Sequence, residues 1–99
     1  MIYSSKVLWK NKKGTSERSC KCGSWKNHWE KFSGIPFPVF CSVKGCLNDA
    51  TLGAHIIGLD SKKEYIVPVC DSCNKSNAPF ELDPNTICVS ANKSETCEK

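Results

Sequence analysis

Eight cysteines in 99 residues constrain this chain more than any other feature, because six of them fall in close pairs. The pairs are Cys20-x-Cys22, Cys41-x4-Cys46 and Cys70-x2-Cys73. Leu, Ile, Val and Phe together number only 21, near the composition at which folding on apolar burial alone fails. A chain this short with so few large apolar residues needs an added staple. The cysteines supply it, either as disulfides or as metal ligands.

Eight cysteines in a secreted chain would imply disulfides, with about 105 possible pairings. The start of the chain, "MIYSSKVLWKNKKG", has no apolar stretch of signal-peptide length and no small-residue cleavage site. No run approaches the ~20 apolar residues of a membrane span. A soluble cytoplasmic chain is therefore expected, where thiols stay reduced and short cysteine pairs chelate zinc. One domain, residues 1–99, is the expectation for this length. The net charge of +4 is uneven: residues 1–31 carry +6 and residues 32–99 carry −2. A basic arm over residues 1–19 on a near-neutral body suits a polyanion partner, though a solvated tail would look the same.

Along the chain, "IYSSKVLW" reads as a short strand and "KNKKGTSERS" as a loop. In "SWKNHWEKF", Trp25, His28, Trp29 and Phe32 fall at i, i+3, i+4 and i+7, which predicts a helix with Ser24 as N-cap. Gly34, Pro36 and Pro38 end it and open an extended connector. Gly45 beside Cys46 fits a tight knuckle. The runs "TLGAHII" and "EYIVPV", joined by "GLDSKK", predict a hairpin. Pro68 in its second strand predicts an edge or a bulge. After Cys70, Asp71 or Ser72 opens a short helix that stops before Pro79, and "NTICVSA" reads as a last strand. The fold class expected is α+β, a small zinc-stabilised domain with a short helix in its N-terminal extension.

Cys41, Cys46, Cys70 and Cys73 give a complete four-thiolate zinc set. A helix beginning at the second pair favours thiolates through its amides and dipole. A second set could combine Cys20, Cys22 and His28, which are close in sequence, with Cys97 as the fourth ligand. Cys88 sits mid-strand, where a cysteine is usually a small buried hydrophobe. The plain alternative for the second set is a satisfied core histidine at His28 with free thiols at Cys20 and Cys22.

The stretches "CSVKGC", "GAHI" and "YIVPVCDSCN", within residues 41–77, resemble the zinc-stapled HNH endonucleases of the His-Me finger group. The resemblance implies a ββα-metal hairpin on a treble-clef-like zinc site. It implies His55 as the general base that activates water, and Asn74 as the helix ligand of a Mg²⁺ or Mn²⁺ ion that stabilises the leaving phosphate oxygens. Two positions depart from the family pattern. Ala54 stands before the base where an acidic or histidine ligand is usual, and Tyr65 stands where an asparagine orients the base. Asp49, Glu64 and Asp71 are the nearby carboxylates that could assist.

Three functions are open to such a chain. It could be an HNH endonuclease acting on nucleic acid. It could be a non-cleaving zinc module of the same fold, binding nucleic acid through the basic arm and through Trp9, Trp25 and Trp29. For Trp25 and Trp29 the helical face favours core instead. It could also be a zinc-stabilised protein-interaction module, a kind of chain that suits a phage or mobile element.

Overall fold

The structure is a computed structural model that describes residues 2–3, 8–12, 24–60 and 62–91. Its elements in chain order are β1 (Ile2–Tyr3), β2 (Trp9–Asn11), α1 (Trp25–Ser33), β3 (Leu52–Gly58), β4 (Glu64–Val69), α2 (Asp71–Asn74) and β5 (Ile87–Ser90). The strands form one antiparallel sheet in the order β1-β5-β4-β3-β2. The class is α+β, as the sequence predicts.

The hairpin is the centre of that sheet. Leu52 pairs with Val69, His55 with Ile66 and Ile57 with Glu64. Strand alternation then divides the side chains. Ala54, Ile56, Tyr65, Val67 and Val69 fall on one face, in a core shared with Trp9, Cys41, Cys70, Leu82 and Cys88. The other face carries His55 and Ile66. Ile66 packs there with Trp29, Val89 and Ala91, against Trp25, Phe32 and Phe37. The sheet is therefore a wall between two small cores, one built on cysteines and one on the aromatic face of α1.

Helix α1 forms where its caps dictate. Ser24 has extended backbone and its Oγ accepts from Asn27 N at 3.1 Å. Gly34 ends the helix at φ 76° and donates its N–H to Glu30 O. Trp29 is 2% exposed, and its Nε1 donates to Ile87 O at 2.9 Å. The helix packs so closely on β3 that a Cβ built on Gly53 would lie 2.7 Å from Trp25 C and 2.8 Å from Trp25 O.

Three expectations need correction. Pro68 lies in β4, which is an inner strand with β3 and β5 as neighbours. The proline is tolerated because β5 pairs only with Tyr65 and Ile66, so the ladder on that side has ended before position 68. Lys10 and Asn11 belong to β2 and pair with Ile57 and Ile56, so the expected loop begins later. Trp9 is 2% exposed, edge-on to Tyr65 at 5.7 Å, and bridged to Phe80 by two backbone hydrogen bonds. It is core and offers no face for stacking on a base. Cys88, fully buried in the cysteine-side core, is the small hydrophobe expected, and burial pushes its thiol up to about 12.

Gly53→Ala should destabilise the chain by about 2 kcal/mol or more, since backbone rather than a mobile side chain stands in the way. Urea denaturation followed by tryptophan fluorescence measures it.

Candidate metal centre

The two close cysteine pairs meet behind the hairpin. The first comes from a knuckle, in which Gly45 takes φ 82° and Cys46 N donates to Val43 O at 3.0 Å. Only glycine adopts that conformation without strain. The knuckle is tied to β4 by Ser42 N to Pro68 O at 2.9 Å, and to the loop before β5 by Asp83 N to Ser42 O at 2.7 Å. The second pair straddles the end of β4. Cys70 is the N-cap of α2, and Cys73 lies in its single turn.

The four Sγ atoms of Cys41, Cys46, Cys70 and Cys73 all lie within 4.8 Å of one another. Cys46 and Cys70 sulfurs are 3.8 Å apart, and Cys46 and Cys73 sulfurs 3.6 Å. These separations are far beyond a disulfide bond of about 2.05 Å. They match the edge of a tetrahedron with metal–sulfur bonds of about 2.3 Å, which is about 3.8 Å. The donor set therefore fits a tetrahedral thiophilic ion.

The surroundings favour charge on one sulfur in particular. The Ser72 hydroxyl lies 3.3 Å from Cys70 Sγ, and Cys73 N–H and Asn48 Nδ2 donate to it at 3.4 and 3.7 Å. The Ser72 contact first, then the Cys73 amide and Asn48, outweigh burial and bring Cys70 down to about 6. Burial pushes Cys73 and Cys41 up, and for Cys73 the neighbouring sulfurs add to the rise. Four thiols this close cannot all ionise alone. A divalent cation between them removes that conflict by supplying the opposing charge. Asn48 and Ser72 are site residues the spacing argument passed over. Their signal was position, two residues after Cys46 and inside Cys-x2-Cys.

Asn11 buttresses the same region. Its Nδ2 donates to Cys73 O at 2.8 Å and to Ser76 O at 2.9 Å, fixing α2 to the edge strand. Asn74, on α2, is held by its own N–H to Cys70 O. Of the carboxylates that could have assisted, Asp71 pairs with Lys75 at 3.0 Å, and Asp49 is exposed beside the knuckle, where its residue bridges Phe40.

His55 stands elsewhere. It lies on the α1 face of the sheet, 5% exposed, with its ring edge-on to Trp25 at 5.3 Å. Its Nε2 meets Glu64 Oε1 at 2.6 Å, and Glu64 Oε2 accepts from Lys12 Nζ at 2.8 Å. Lys12 first, then His55, hold the Glu64 carboxyl below the usual carboxylate range against the opposing effect of burial. A carboxylate is an acceptor only, so Nε2 carries the proton toward Glu64. The sheet thus separates His55 from the four thiols and from the face on which Cys73 of α2 packs. Ala54 and Tyr65 point to the cysteine-side core.

His28 is fully buried, as its place on the apolar face of α1 predicts, between Trp25 and Phe32. Its Nε2 donates to Ser90 O at 2.8 Å, and burial lowers its pKa. Any metal would have to be met through Nδ1. Cys20, Cys22 and Cys97, its expected co-ligands, lie outside the described residues, as does most of the basic arm over residues 1–19. Among the described residues no helix is long and apolar enough to cross a membrane.

No family model, no curated protein and no solved structure matches the chain.

Two measurements follow from this geometry. Cys70→Ser should carry one metal ion fewer per chain by elemental analysis, and should lose folding cooperativity with it. Glu64→Ala should cost about 1–2 kcal/mol in urea denaturation at neutral pH, because it strips a partner from buried His55.

Proposed function

We propose that this chain is a zinc-stapled module of HNH-like, treble-clef character that binds nucleic acid without cutting it. The observation that carries this reading is the division made by the sheet. The thiol set and α2 lie behind one face, while His55 lies under Trp25 on the other, hydrogen-bonded to Glu64. A general base must reach the water it activates. His55 is buried and its Nε2 is engaged by Glu64, so in this reading it fastens β3 to β4 and, through Glu64, to Lys12 of the arm.

Zinc is the ion that four clustered cysteines at tetrahedral spacing favour. It would be structural, with all four positions taken by protein. The +6 charge of residues 1–31 supports a polyanionic partner. A second reading, a zinc-stabilised protein-interaction module, has its own support. Val39, Phe40 and Leu47 flank the knuckle at 67%, 61% and 85% exposure, which is unusual for large apolar side chains placed so near one another.

The test combines metal analysis, a plasmid-nicking assay in Mg²⁺ and Mn²⁺, and fluorescence anisotropy with labelled oligonucleotides at about 50 mM salt, where phosphate contacts are least screened. Zinc retention, salt-sensitive binding and no nicking are expected. Nicking that vanishes in a folded His55→Ala variant would restore His55 as the base of an endonuclease. Absence of binding would remove the nucleic-acid reading and leave the protein-interaction module. A chain purified under reducing conditions without zinc, and still folded in a strong chelator, would refute the staple itself.

A further inference from the structure

We infer that the corner formed by the β3–β4 turn and the edge strand β2 is the phosphate-contacting surface, with Lys10 and Lys62 as its principal contacts. The inference rests on the nucleic-acid reading above and names the surface that reading leaves open.

Two independent observations converge on this corner. The first is backbone strain. Lys62 takes φ 60°, and it is the only non-glycine residue with positive φ among the described residues. Its N–H donates to Gly58 O at 3.1 Å, while Gly58 N donates to Lys63 O at 3.0 Å, so the turn requires a left-handed residue at this point. Glycine or asparagine adopts that conformation at little cost, and a lysine does so under strain. A strained residue at an exposed turn is a reason to look for a function of its side chain. The charge at position 62 is held where the backbone would be served better by glycine.

The second observation is placement. β2 is the sheet edge beside β3, and Lys10 pairs with Ile57, one position from Gly58 where the turn begins. Leu59 N donates to Leu8 O at 3.1 Å, closing the turn against the start of β2. Lys10, Lys62 and Lys63 are all exposed at this end of the sheet. Neither Lys10 nor Lys62 makes an ion pair with a described residue, whereas Lys12 is bound to Glu64, Lys44 to Glu81 and Lys75 to Asp71. The lysines elsewhere on the sheet edge, the knuckle and α2 are thus neutralised locally, and these two are not. Two carboxylates stand at this corner: Glu64, which is bound to Lys12 and His55, and Asp60, which is exposed in the turn and opposes an anion.

A polyphosphate backbone is the ligand this chemistry takes: spaced ammonium groups along an edge whose own tryptophan, Trp9, is buried. Recognition of this kind follows the backbone and does not discriminate base sequence.

The strained lysine gives a test that separates charge from folding. Lys62→Gly removes the charge and relieves the strain, Lys62→Arg keeps both, and Asp60→Asn removes the opposing charge. Lys44→Gln, on the knuckle, is the control. Binding of a labelled 20-mer, single-stranded and duplex, is read by anisotropy across a salt series, with melting temperature measured alongside. Lys62→Gly should melt no lower than the parent yet bind several-fold more weakly, with the slope of log K against log salt reduced by about 1. The double variant Lys10→Gln/Lys62→Gly should lose about 2 from that slope. Lys62→Arg and Lys44→Gln should bind as the parent does, and Asp60→Asn more tightly. If the parent binds with a salt slope that Lys62→Gly and the double variant leave unchanged, this surface is overturned while the nucleic-acid reading stands. If the parent does not bind either oligonucleotide, both fall together.

Discussion

Four sulfurs behind the hairpin decide how the rest of this chain is arranged. They join a knuckle, the end of an inner strand and a single helical turn. The hydrogen bonds around them spread that junction outward. Ser42 is tied to Pro68 on one side and to Asp83 on the other, and Asn11 holds the turn of α2 to the edge strand. A cation among four thiolates in such a site contributes free energy on the order of 10 kcal/mol to folding in small zinc domains. That is comparable to the whole stability of an ordinary domain. An ion held by these four cysteines would let the chain fold with about a fifth of its residues large and aliphatic or Phe.

The sheet that the junction supports has two unlike faces, and the difference governs what each titratable group does. On the cysteine side, burial raises Cys41 and Cys73, while donors from Ser72, the Cys73 amide and Asn48 lower Cys70. That unequal set is what a cation resolves. On the α1 side, a chain of hydrogen bonds runs from His55 through Glu64 to Lys12, crossing three strands' worth of side chains. The Nε2 of a buried histidine there is met by a carboxylate that a lysine keeps ionised. Its role in the sheet is to join β3, β4 and the segment after β2.

Much of this architecture was legible in local sequence. Ser24 and Gly34 mark both ends of α1 because capping chemistry is local, and Gly45 marks the knuckle for the same reason. The four-cysteine set could be read because ligand spacing is constrained by one small ion. The errors came where a distant partner decides. Pro68 looked like an edge residue, but how far β5 extends along β4 settled its place. Trp9 looked available for stacking until Tyr65 and Phe80 closed over it. Glu64 was considered as a metal-assisting carboxylate, and its neighbours are a histidine across the hairpin and a lysine just after β2.

The sequence by itself determined the secondary structure around the hairpin and the four cysteines that could hold an ion, since both follow from contacts a few residues long. It placed His55 on a strand and Asn74 on the helix after Cys73. Only the tertiary structure decided that His55 and the four thiols lie on opposite faces of a sheet. Strand alternation assigns a side chain to one of two faces, but which face receives the cysteine knuckle and which receives α1 depends on packing between segments far apart in the chain. Gly53, bare enough for the backbone of α1 to rest on it, is where that choice was fixed.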